Sequence, residues 1–265
     1  MRHRAWGAAA AVTLVVLGGC FGTRPVPAGR SLVVFAAASL GTALGAVETA
    51  FRADHPDVTF TTSTSSSAAA ATQIEHGAPA DVFLSADVAN AQRLMDDGLA
   101  AGPAVIVATN RLVVIAPATN PAGITSPADL ARPGLKVIAA GDEVPITEYA
   151  SRVVDNLAEL PGYPADFAAG YRSNVVSREE SVSGLLTKVS LGEGDAGIVY
   201  ATDAAAAAGE VLRLEIPEAA NVLARYAGVT LASSTAPTLA AQFLAWLAGP
   251  DGQRVLSTRG FGPPS

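Results

Sequence analysis

Hydroxyl and small residues recur where an apolar, strand-like run gives way to a helical pattern. Ser39 follows Phe35-Ala36-Ala37-Ala38, the run Ser65-Ser66-Ser67 precedes a helical stretch ending in Gln73-Ile74-Glu75, Ile146 and Thr147 open a third helix, and Ser181-Val182 opens a fourth. Each junction leaves backbone N–H groups without an intrahelical acceptor beside a side-chain or backbone donor, an arrangement that suits an anion. With a nominal charge of about +0.5 at each helix start, four converging junctions would sum to about +2 and balance a dianion without a cationic side chain. The same residue types also serve as ordinary helix caps, and spacing alone favours that simpler account.

Other chemistries have weaker support. Gly192-Glu193-Gly194-Asp195-Ala196-Gly197 matches the dinucleotide pattern GxGxxG. That pattern needs a strand before the glycines and a helix after them, whereas here a helical stretch precedes and the strand-like Ile198-Val199-Tyr200 follows. A helix C-cap and turn is expected instead. Beyond the first few residues the histidines are His55, in the turn-like Asp54-His55-Pro56-Asp57, and the isolated His76. No G-x-S-x-G elbow accompanies the many serines, so a secreted serine hydrolase is a weak alternative. Nor do two scattered histidines make a metal site.

The elements that must position these junctions alternate between two periodicities. Leu32 to Ala36 reads as a strand, and Leu40, Leu44, Val47 and Phe51 follow at helical spacing. Strands at Val58 to Thr62 and Asp81 to Leu84, a helix around Ala89 to Met95 and an apolar strand from Arg111 to Ala116 complete a first series. A second runs through strands at Lys136 to Ala140, Asn174 to Val176 and Ala196 to Tyr200, with helices from about Thr147 to Leu157 and Val182 to Leu191. A strand near Tyr226 to Leu231, a helix around Leu239 to Leu247 and a polar Gly/Pro-rich tail close the chain, and Ala204 to Ala208 reads as plain helix. Alternating strands and helices predict an α/β protein of two lobes, each built on a mostly parallel sheet, with the last segment returning to the first lobe.

Composition narrows the function. The 265 residues are 50% hydrophobic and 15% charged, and 24 acidic against 17 basic side chains give a net charge of -7. No basic run exists to grip nucleic acid or an anionic membrane surface. Arg2, His3 and Arg4 precede an apolar stretch from Ala8 to Leu17, which reads as an export signal too short for a membrane span. Cys20 is the single cysteine, so an internal disulfide and a cysteine-based zinc site are excluded. The segment Leu17-Gly18-Gly19-Cys20 resembles a bacterial lipobox, which implies lipidation of Cys20. On that reading residues 1–20 are a lipoprotein signal peptide and residues 21–30, with Pro25 and Pro27, a short tether.

Three stretches together carry a resemblance: Val34-Phe35-Ala36-Ala37-Ala38-Ser39-Leu40, the long run from Gln73 through Gly77-Ala78-Pro79-Ala80-Asp81-Val82-Phe83-Leu84 to Asp87, and Gly197-Ile198-Val199-Tyr200. They resemble the periplasmic molybdate-binding proteins of bacterial ABC importers, over residues 32 to 262. The resemblance implies a two-lobed periplasmic-binding-protein fold with a two-strand hinge, residues 31–112 and 221–265 forming one lobe and 113–220 the other. It implies an oxyanion site made of Ser39, Ser67, the Ile146 N–H, the Val182 N–H and the Tyr200 hydroxyl, with Ser66 as the alternative to Ser67. Ile146 stands where the family has alanine, which a main-chain donor tolerates.

The implied ligand is molybdate or tungstate, with no cofactor and no metal ligated directly by the protein. Molybdate carries no proton near neutral pH, so donors alone suit it, and sulfate or another oxyanion is the alternative cargo. The implied partners are a membrane permease and its ATPase, reached by a monomeric, non-enzymatic protein held by its lipid on the outer face of the cytoplasmic membrane.

Overall fold

The computed structural model describes residues 30–265; the expected signal peptide, Cys20 and most of the expected tether lie outside the described residues. Arg30, the last tether residue expected, is the first residue of a strand.

The first series comprises β1 (Arg30–Ala37), α1 (Gly41–Asp54), β2 (Val58–Ser65), α2 (Ser67–Glu75), β3 (Val82–Ser85), α3 (Ala89–Asp96) and β4 (Val105–Asn110). A single residue, Arg111, then separates β4 from β5 (Leu112–Pro117). The second series continues with β6 (Val137–Ala140), α4 (Pro145–Ala158), α5 (Phe167–Asn174), β7 (Val175–Glu179), α6 (Val182–Ser190), β8 (Ala196–Tyr200), α7 (Ala201–Ala206) and β9 (Val211–Glu215). After it come β10 (Ala224–Thr230), α8 (Pro237–Ala248) and α9 (Pro250–Thr258).

Two five-stranded sheets result, ordered β2-β1-β3-β10-β4 and β7-β6-β8-β5-β9. The expected pair of helix-flanked sheets is therefore present, but each is mixed. β2, β1 and β3 run parallel, as do β7, β6 and β8, whereas β10 pairs antiparallel with β3 and β4, and β5 antiparallel with β8 and β9. The antiparallel strands β10 and β5 are the ones that follow a crossing between sheets. A strand that arrives from the other lobe needs no βαβ crossover, so its direction is not forced to be parallel.

Alternation in the buried strands splits the core. Val34, Ala36, Val82 and Leu84 pack with α1 and α8 on one face of the first sheet, while Phe35 and Phe83 join Ile74, Ala91 and Leu94 of α2 and α3 on the other. β1 and β3 are thus covered on both sides, as central parallel strands require. Gly192, at φ +77°, stands just past the end of α6, and β8 follows, which is the C-cap and turn expected of the glycine-rich stretch. The polar Gly/Pro-rich tail contains a further helix, α9, whose Pro250 occupies its first turn as a start signal. No described helix is long and apolar enough to cross a membrane.

Candidate anion-binding site between the sheets

One pocket gathers residues from both series. Ala37, Ala38 and Ser39 at the end of β1, Ser66 and Ser67 after β2, and Ala86 after β3 line one side. Val144, Pro145 and Ile146 after β6, Val182 after β7 and Tyr200 at the end of β8 line the other. Every lining segment thus lies at or beyond the carboxyl end of a parallel strand, where open α/β sheets place their ligands. Ser39, Ser66, Ser67, Ile146, Val182 and Tyr200, the complete set expected from the sequence, face this one pocket. Its cavity volume is about 10 Å3, far below the roughly 300 to 1,000 Å3 of sites for organic ligands.

The donors arise from how the helices start. Ser66 caps α2, its Oγ accepting from the Ala69 N–H at 3.2 Å, and Ala70 N–H donates to the Ser66 carbonyl. The N–H groups of Ser67 and Ala68 are left without an intrahelical acceptor. Ser181 repeats the device on α6, accepting from Gly184 N–H at 3.2 Å, which leaves Val182 N–H free. In α4 the first residue is Pro145, which has no N–H, so Ile146 supplies the first one. Gly197 helps to set α6 in place: a Cβ there would lie 2.7 Å from Leu185 Cδ2 and 3.0 Å from the Ile138 carbonyl.

Not every hydroxyl at these junctions reaches the pocket. Thr147 Oγ1 donates to the Gly141 carbonyl at 2.7 Å, and Ser181 is spent as a cap. Neither lines the pocket.

The side-chain donors are buried and held from behind. Ser67 Oγ accepts from the Ala86 N–H at 2.9 Å, and Ser39 Oγ accepts from the Tyr226 hydroxyl at 2.8 Å, so both serine hydrogens remain to be given elsewhere. Tyr200 is 1% exposed, and its hydroxyl oxygen has no hydrogen-bond partner among the described residues. Burial, with the neighbouring Tyr226, Tyr149, Asp203 and Asp87, raises its pKa well above the usual tyrosine value, so it stays a protonated donor. No charged side chain lines the pocket.

Sequence reading missed the support behind these donors. Tyr226, Asn110, Thr202 and Asp203 are buried at the crossing between sheets, and only their three-dimensional neighbours mark them out. The motif aspartates prove structural. Asp81 Oδ1 accepts from the Ser234 hydroxyl and the Thr235 and Ala236 N–H groups, and Asp87 accepts from Ser85 and from the Asn90 backbone and side chain. His55 stacks on Phe51 and His76 caps the end of α2; neither lines the pocket.

A family model described as bacterial extracellular solute-binding protein matches residues 32–262. The chain belongs to that family. Its relatives include the molybdate-binding protein ModA of Mycobacterium tuberculosis, 40% identical over 240 residues that cover 91% of this solute-binding protein and 87% of the relative. The fold of this solute-binding protein is shared by the Azotobacter vinelandii periplasmic molybdate-binding protein, with a TM-score of 0.74, 24% identity and coverage of 88% and 100% of the two chains. It is shared equally by the sulfate-binding protein SubI of Mycobacterium tuberculosis, with a TM-score of 0.76, 24% identity and coverage of 88% and 87%.

Proposed function

We propose that this solute-binding protein captures molybdate, and tungstate with it, outside the cytoplasm and hands it to the permease and ATPase of an ABC importer. The observation that carries the reading is the buried Tyr200 hydroxyl, without a partner among the described residues, in a residue lining a pocket that offers N–H and O–H donors and no charge. A buried donor left unpaired costs about 1 to 3 kcal/mol, a penalty that a deprotonated oxyanion removes. Ser39, Ser67, Ile146, Val182 and Tyr200 are the donors in this reading, with Ser66 beside them.

Donors on both sides of the pocket give closure its driving force. Only when the lobes, 31–112 with 221–265 and 113–220, come together does the anion meet all donors at once, so ligand shifts the population toward the closed form. Binding without turnover belongs to the same reading, in keeping with the extracellular solute-binding family to which the chain belongs. Anchoring through lipidated Cys20 on the outer face of the membrane, and action as a monomer, complete the proposal.

Sulfate is the second reading, because the same donor set suits any fully deprotonated tetrahedral anion. Titration calorimetry of a soluble chain starting after Cys20 with molybdate, tungstate, sulfate and phosphate separates the two. Tight binding of molybdate and tungstate with weak binding of sulfate is expected. Preferential sulfate binding would transfer the assignment to sulfate, and no binding of any oxyanion would overturn it.

A further inference from the structure

Asn110, Tyr226 and Ser39 form a chain whose proton directions can be worked out one by one. The Arg111 N–H can only donate, and it meets Asn110 Oδ1 at 3.0 Å, so the other end of that amide is the NH2 group. This group donates to Thr202 Oγ1 at 2.8 Å and, over 3.5 Å, faces the Tyr226 hydroxyl oxygen. The Tyr226 oxygen is therefore presented with a donor, and its own hydrogen needs an acceptor. Ser39 Oγ, 2.8 Å away, is the acceptor within reach among the described residues. Tyr226 is fully buried, so the reverse direction would strand a hydroxyl hydrogen away from water. Burial also raises the Tyr226 pKa well above its usual value, which keeps that hydrogen in place.

We infer that Tyr226, without touching the ligand, is a specificity-determining positioning residue: by donating to Ser39 Oγ it occupies acceptor capacity on that oxygen and aims the Ser39 hydrogen into the anion pocket. A serine hydroxyl is otherwise ambidextrous and can accept from a protonated anion as readily as it donates to a bare one. Ala86 N–H plays the same part toward Ser67. The pocket thereby favours oxyanions that carry no proton over those, such as hydrogen phosphate, that must donate one. Asn110 fixes the first link from β4, and its bond to Thr202 of α7 ties the chain to the second sheet.

The inference rests on the oxyanion reading, and one set of titrations tells their failures apart. Wild type, Tyr226→Phe and Asn110→Asp are each titrated with molybdate, sulfate and inorganic phosphate at pH 7, with a thermal melt of every variant. Phe keeps the ring that packs edge-on against Phe261 and beside Tyr200. In Asn110→Asp the new carboxylate draws the Tyr226 hydrogen away from Ser39, so the second variant reaches the same end by another route. The expected result is that the molybdate-to-phosphate and sulfate-to-phosphate affinity ratios fall together by about five- to tenfold in either variant, the ratio cancelling the repulsion that the added carboxylate of Asn110→Asp exerts on every anion. Loss of structure alone would weaken all three anions equally, and that outcome, or unchanged ratios in both variants, overturns the inference while leaving the oxyanion reading intact. If wild type binds none of the anions, both fall.

Discussion

Asn221 docks on Leu112 as though it were a neighbouring strand. Its Oδ1 accepts from the Leu112 N–H at 3.1 Å and its Nδ2 donates to the Leu112 carbonyl at 2.8 Å. Leu112 opens β5 just after the outward crossing between sheets, and Asn221 lies on the return path before β10. One side chain thus joins the two crossovers that any relative motion of the lobes must bend. Leaving both Leu112 groups without this partner in Asn221→Ala should cost about 1 to 3 kcal/mol, seen as a lower midpoint in urea unfolding. An unchanged midpoint would mean that water replaces the amide without loss.

Tyr200 should show opposite signs in two measurements. Its buried hydroxyl has no partner among the described residues, so Tyr200→Phe should raise stability measured without added anion by about 1 kcal/mol. The same change should weaken molybdate binding by roughly tenfold, because one donor is gone. Calorimetry together with thermal melts without ligand checks both halves, and a variant that binds like wild type would remove Tyr200 from the site.

Asp203 gives the stability a pH dependence. Burial raises its pKa from 3.8 to about 8, opposed in part by a hydrogen bond from the Tyr200 backbone, and its Oδ2 has no partner among the described residues. The folded pKa exceeds the unfolded one, so between about pH 4 and pH 8 the folded state holds a proton that the unfolded state has released. This contribution therefore decreases as pH rises through that window and is fully lost above it. Asp203→Asn should remove the slope, gaining about 2 kcal/mol or more over wild type by pH 8 and little near pH 4. Parallel unfolding curves at pH 4 and pH 8 with an unchanged gap between the proteins would refute the assignment.

Asp81 carries no expected role toward the anion. Its Oδ2 accepts from Val33 N–H at 2.7 Å and its Oδ1 from the Ser234 hydroxyl at 2.6 Å, tying β1 to the segment that leads into α8. Asp81→Ala should lower stability by about 1 to 3 kcal/mol, since several partly buried donors lose their shared acceptor. Molybdate affinity of the protein that remains folded should match wild type. A specific loss of affinity at unchanged stability would reverse the interpretation.

What the sequence determined by itself is local. Apolar runs of period two and helices spaced at three and four marked β1, β3, β6, β8, α1, α4 and α6, because burial on one face leaves its period in the chain. Junction residues such as Ser39, Ser67 and Val182 were legible for the same reason, as the start of a helix has a fixed chemistry that needs no distant partner. The resemblance carried by the stretches around Ser39, Asp81 and Tyr200 then assigned them a common purpose.

The tertiary structure decided everything that depends on who meets whom. β4 and β9 were not separated from their surroundings, and α5 and α9 were not anticipated, because short elements take their stability from packing rather than from their own pattern. The antiparallel places of β5 and β10 follow from the crossings between sheets, which no local period encodes. Tyr226 lies 187 residues from Ser39, and Asn110 lies 92 from Thr202. A hydroxyl's direction is set by the partners that surround it, so whether Ser39 gives or takes a hydrogen bond is a property of the folded neighbourhood alone.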